Sequence, residues 1–192
     1  MDLDTPCIPL GHILTYFNIS KKPKLGLEAV EGDLQSSTVH LNELMKAAIG
    51  LDHVELFRNV GVDLSKGSIA DQYVTTRQVL GLVEQTINAL KMPYLGLFLG
   101  NIMTVSHHGL AGLAAVTQPT LVDCSETVAR FCRELFPPLD MSVHLEGDLR
   151  WFTIEENISL APYTHYFMEL NSVSFYNIVC DLVGRDPRHM PI

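Results

Sequence analysis

Apolar positions recur at helical spacing in several separate stretches of this chain, and those stretches set the expected architecture. Val39, Leu41, Leu44, Met45 and Ala48 follow one face of a helix that opens near Ser37 and Thr38 and closes at Gly50. Asp52, with Glu55 three residues on, spells a capping box and predicts a second, short helix ending at Gly61. Thr75 and Gln78 repeat that signature. Val79, Leu82, Val83, Ile87 and Leu90 then make the inward stripe of a third helix, stopped ahead of Pro93. Residues 62–74, in between, are polar and turn-rich. Three helices on short connections predict a small helical lobe.

The pattern changes in the second half. Residues 109–116, GLAGLAAV, are an apolar run of small side chains that reads as a buried strand, although periodicity alone does not separate it from a helix. Thr120 caps a helix over 121–135 with Val128, Phe131, Cys132 and Leu135 inward, and Pro137-Pro138 ends it. Residues 141–146 and 149–154 alternate around Gly147-Asp148, a hairpin signal. Pro162 is placed for the first turn of a long amphipathic helix that runs to Val183 and is closed by Gly184. At the other end, Pro6, Pro9, Pro23 and several glycines make residues 1–36 irregular or extended, with ILTYFNI at 13–19 a short strand.

The expected fold class is therefore α+β: an N-terminal helical lobe followed by a small, mainly antiparallel sheet packed with helices. Residues 1–36 form an N-terminal extension and 37–192 one domain. A sheet holding both the hairpin and a 109–116 strand calls for further strands. The chain instead closes on RDPRHMPI, so it reads as a fragment of a longer polypeptide, truncated at its C-terminus.

Composition narrows the class further. The 192 residues, 47% hydrophobic and 18% charged, fit one ordered domain with its own core. Thirteen basic against twenty-two acidic side chains give a net charge of −9, and the only basic cluster is Lys21, Lys22 and Lys24. Such a surface repels phosphate backbones, so the chain by itself does not grip DNA. The apolar runs fall short of the roughly 18–20 residues a membrane span needs. The start, MDLDTPCIPLGH, lacks the basic and apolar regions of a secretory signal. A cytoplasmic protein without membrane contact is expected. Cys7, Cys124, Cys132 and Cys180 form no CxxC pair, so neither zinc nor any other metal is expected, nor a cofactor. Cys124 and Cys132, eight apart on one helix, read as buried thiols.

The most informative stretch is 95–121, LGLFLGNIMTVSHHGLAGLAAVTQPTL. Its order, with Gly96 and Gly100 in an LGLxLG turn, Gly109 and Gly112 in HGLxGxA, and Pro119-Thr120-Leu121 before a helix, resembles the N-terminal effector domain of AraC-family transcription regulators of the arabinose-binding type. The segment LFRNVGVD at 56–63 and the capped helix from Thr75 extend the likeness over about 39–184. None of these is a catalytic position; they are glycines for close approach and a threonine cap. The resemblance implies a ligand-sensing and dimerising domain that forms a homodimer. It also implies a small-molecule effector and a pair of C-terminal helix-turn-helix units, absent from this chain, through which DNA would be bound.

The candidate site residues follow from the aromatic and polar clusters. His107 and His108, adjacent in an expected strand, would point to opposite sides and cannot share a metal; a turn or capping role is the simpler reading, with His108 at a pocket mouth. Trp151, Tyr163 and Tyr166 would line a pocket between the hairpin and the long helix, and Arg150 would either hold a carboxylate there or, the simpler reading, be a solvated strand residue. Tyr163 and Phe167 at helical spacing also suit a core stripe. The ligand-binding set is thus His108, Arg150, Trp151, Tyr163 and Tyr166. Glu155-Glu156, Glu146 and Asp148 read as solvated turn acids, and Ser106, His107 and Asp123 lack the GxSxG elbow of a hydrolase. No catalytic residue is assigned. The rival readings are a small-molecule-binding α/β enzyme and a pure oligomerisation module, both unrelated to transcription.

Overall fold

The computed structural model describes residues 2–19 and 51–184. The helix expected near residues 38–48 and the lysine cluster at 21–24 lie outside the described residues. The elements run β1 (Pro6–Pro9), α1 (Leu10–Ile19), α2 (His53–Asn59), a 3-10 turn (Ile69–Asp71), β2 (Tyr73–Thr75), α3 (Thr76–Leu90) and α4 (Leu95–Ile102). A second 3-10 turn (Val105–His108) leads into α5 (Gly109–Val116), α6 (Leu121–Leu135), β3 (Leu139–Glu146), β4 (Leu149–Glu156) and α7 (Thr164–Val183). Helices dominate, with two separate two-stranded antiparallel sheets, β1–β2 and β3–β4. The fold is α+β.

The expected caps are in place. Asp52 accepts a hydrogen bond from the Glu55 amide at the start of α2. Thr75 and Gln78 close both halves of a capping box at α3: the Thr75 hydroxyl takes the Gln78 amide, and the Gln78 side chain takes the Thr75 amide. Thr120 caps α6 through the Asp123 amide. The hairpin pairs in register from Leu139 with Glu156 to Glu146 with Leu149, so Gly147-Asp148 is a two-residue turn. Gly147 supplies the positive φ (+58°) such a turn needs.

Two expected strands are helices. Residues 13–19 belong to α1, where Leu10 and Ile13 are buried and Leu14 packs beside them. The aromatic and β-branched content suggested a strand, yet the i, i+3, i+4 spacing of those residues is helical. Extended structure in this region sits earlier, in β1, which pairs with β2. Residues 2–19 are accordingly not irregular: Ile8 and Leu10 are fully buried in the main core. The Asp4 carboxylate also holds Arg77 through two hydrogen bonds of 2.6 and 3.0 Å.

Residues 109–116 form α5 rather than a buried strand. Its small residues Ala111, Gly112, Ala115 and Val116 fall on one helical face and turn inward, while Leu110 and Leu113 are exposed. The hairpin therefore stands without the third strand expected beside it. Helix α7 begins at Thr164, two residues after Pro162, so that proline precedes the helix instead of opening it; Gly184 ends it as expected, at φ +63°.

Helices α4 and α7 make the most extensive helix–helix contact. The sequence explains it. Gly96 and Gly100, one turn apart, put bare backbone against α7, where a Cβ on Gly96 would strike the Tyr166 carbonyl and one on Gly100 would come within 2.8 Å of the Leu170 oxygen. Phe98, Leu99, Tyr166, Phe167 and Leu170 fill the surrounding core. The hairpin is fastened to the same helix by Phe152 stacked on Phe175, with ring centroids 3.8 Å apart.

Candidate functional site

A cavity of about 130 Å³ lies where α1, α3, α4, α5, α6 and α7 converge, with Met141 of β3 at its edge. Each wall follows from the patterning. Val79, Leu82 and Val83 come from the capped helix α3, and the stripe Val128, Phe131, Cys132 and Leu135 expected to point inward on α6 faces the cavity. The small residues of α5 keep that wall thin, because Gly112 seats against the Val105 carbonyl. A void of this size left open forgoes on the order of 3 kcal/mol of packing. It has room for a molecule of about benzene's dimensions.

The polar groups at this cavity are few, and most are already engaged. The Tyr16 hydroxyl and His12 Nε2 are bonded at 3.2 Å, and His108 Nε2 and Ser174 Oγ at 3.2 Å. The Thr86 hydroxyl donates to the Leu82 carbonyl at 2.7 Å, and Asn171 Nδ2 to the Phe167 carbonyl at 2.8 Å. Among the described residues no Asp, Glu, Lys or Arg lines the space.

Burial sets the charge state of what remains. It holds His12 down to about 4, with the nearby His108 ring adding to the effect. It holds His108 down to about 4 as well, helped by His107. Both imidazoles are neutral at physiological pH. Burial pushes the Tyr16 and Tyr166 phenols above their ordinary range and the Cys132 thiol up to about 12, so none of these ionises there.

The structure divides the five residues singled out from sequence. His108 and Tyr166 line the cavity. Arg150 and Trp151 are exposed on β4, near the hairpin tip, where Leu145 and Leu149 are exposed too. Tyr163 packs against the core at the start of α7, and neither it, Arg150 nor Trp151 lines the cavity. This cavity thus lies among the helices. His107 and His108 sit in a 3-10 turn, not a strand: His107 Nδ1 accepts the Thr104 amide at 2.9 Å, closing that turn. Asp123 is engaged by the Thr120 hydroxyl at 2.6 Å.

Missed from sequence were His12, Tyr16 and Ser174. His12 and Tyr16 are four apart, which places them together only on a helix, whereas the residue types suggest irregular or extended chain over 1–36 with a strand at 13–19. Ser174 carries no local signal at all. Among the described residues, no group of three or more His, Cys, Asp or Glu is placed to hold a metal ion.

None of the curated proteins compared with the chain matches it. A family model does: the arabinose-binding domain of AraC transcription regulators, N-terminal, over residues 50–189. That span exceeds half of the chain and includes α2 through α7, hence most of the cavity wall. The chain belongs to the family of N-terminal arabinose-binding domains of AraC transcription regulators, as a ligand-binding regulatory domain.

Proposed function

We propose that this chain is the sensory half of an AraC-type regulator: a small-molecule effector enters the helical cavity, and its binding controls a C-terminal helix-turn-helix module that contacts DNA. The observation that carries this reading is the open space itself, framed by the elements the family model matches. A packed core without a ligand tends to close such a void. The net charge of −9 agrees with leaving DNA contact to another module. Among the described residues no helix is long and apolar enough to cross a membrane, which suits a regulator working in the cytoplasm. The role is binding without turnover.

Control requires that the effector favour one of two arrangements. The element suited to it is α5 with the 3-10 turn ahead of it, tied to α7 through the His108–Ser174 bond across the cavity. Filling the space biases α5 against α7, and self-association of the domain passes that bias on.

A thermal-shift panel of sugars, amino acids, carboxylates and lipids tests the sensor role. A ligand at a hundred times its Kd adds about 2.7 kcal/mol, hence a rise of several degrees in Tm. Sedimentation equilibrium tests the homodimer. A folded chain that no compound stabilises, or a strict monomer with and without ligand, contradicts the respective half of the proposal.

A further inference from the structure

We infer that the ligand this cavity takes is not a sugar but an uncharged, mainly hydrocarbon molecule carrying at most a hydroxyl or carbonyl group. The inference rests on the reading of the chain as a ligand sensor and names the chemical class that sensor detects.

Three observations lead there. First, a sugar presents a hydroxyl on nearly every carbon, and each one buried without a partner costs about 1–3 kcal/mol. The described residues at this cavity offer Thr86, Asn171, Ser174, Tyr16, Tyr166 and two imidazoles as their oxygen and nitrogen groups. Thr86 and Asn171 donate to carbonyls of their own helices, His12 pairs with Tyr16 and His108 with Ser174, and the Tyr166 phenol stands outside those pairs. What is left recognises one polar group, not four or five.

Second, no charged side chain among the described residues lines the space, so a carboxylate, phosphate or ammonium would enter without a counter-charge. The two imidazoles do not supply one, since burial keeps both neutral.

Third, the rest of the wall is aliphatic and aromatic. Phe131, Phe136 and Phe175 meet Leu99, Val128 and Ile178 around the void, and Ala111, Gly112 and Ala115 leave it open on the α5 side. Apolar ligands gain about 0.8 kcal/mol for each methylene removed from water, and this surface rewards nothing else as strongly. The polar end lies where His12 and His108 approach each other, and a single hydroxyl there would bond an imidazole nitrogen.

The test uses the 192-residue chain at neutral pH and saturation-transfer NMR with n-pentanol, pentanoate and L-arabinose, which have the same number of carbons. The expected result is saturable n-pentanol binding near one per chain, with pentanoate weaker by about tenfold or more and arabinose without effect. Val128→Trp, which fills the α6 wall, is expected to weaken pentanol binding by about tenfold or more. Ala111→Phe fills the opposite wall and serves if the first variant does not fold by circular dichroism. Leu145→Ser removes an exposed apolar residue of the hairpin and is expected to bind as the unaltered chain does.

Arabinose or pentanoate binding while pentanol does not overturns the ligand class and leaves the sensor role standing. Pentanol binding that Leu145→Ser abolishes and the filled variants retain overturns it too, by moving the site to the hairpin. If none of the three compounds binds and the wider panel also fails, both the ligand class and the sensor reading fall.

Discussion

Single glycines decide whether the two central helices can meet. A methyl group on Gly96 or Gly100 would have to displace α7 backbone, which does not yield as a side-chain tip would. Gly96→Ala and Gly100→Ala are each expected to cost about 2–3 kcal/mol in urea unfolding. Gly11, in α1, gives the contrast: its nearest foreign atom would be Ile69 Cγ2 at 3.9 Å, an ordinary contact. Gly11→Ala should therefore be neutral or stabilise by about 0.5–1 kcal/mol through helix propensity. Equal losses at all three positions would contradict the close-approach account. Histidines make the second prediction at this scale. His12 and His108 sit near 4 in the folded protein against an ordinary 6.5, so the unfolded chain takes up protons first as the pH falls. Their contribution is complete above about pH 6.5 and lost on the way down toward pH 4. Unfolding free energy should drop by about 1–2 kcal/mol per ring between pH 7 and 5, and His108→Asn should flatten that slope. A stability that is level over this range would show the rings to be solvated.

Among the elements, α3 is the one whose beginning the sequence specifies most completely. Both halves of its capping box form, so Thr75→Ala should cost about 1 kcal/mol, read as a lowered urea midpoint at unchanged slope. A loss near zero would mean that tertiary contacts alone set where α3 starts. The caps at Asp52, Thr75 and Thr120 and the Gly147-Asp148 turn were legible because each is a local hydrogen-bonding or dihedral requirement with a short spacing. Residues 13–19 and 109–116 carry strand-like residue types yet form helices for a shared reason: in a short apolar run, residue type and periodicity point different ways. In GLAGLAAV the exposed pair Leu110 and Leu113 lies three apart and the inward Ala111, Gly112, Ala115 and Val116 share one helical face. The spacing carried the answer and the apolar content hid it. The cavity was less legible still, since the His108–Ser174 pair spans 66 residues and no local pattern announces it.

At the scale of the molecule, most helices converge on one apolar space, to which the sheets add only Met141 among the described residues. One sheet ties the N-terminal residues to α3. The other carries Arg150 and Trp151 in the open, which explains why aromatic density in the sequence pointed away from the cavity: that cluster mixes core residues of α7 with surface residues of β4. The central claim is that a ligand occupies the helical cavity. Methyl-resolved NMR of the 192-residue chain, titrated with n-pentanol, tests it most directly. The account predicts shifts in the methyl signals of Val83, Leu99, Val116 and Val128, which line the space, and unmoved signals for the exposed Leu145 and Leu149. Shifts confined to the two hairpin leucines, or none at all in a folded sample, would contradict it.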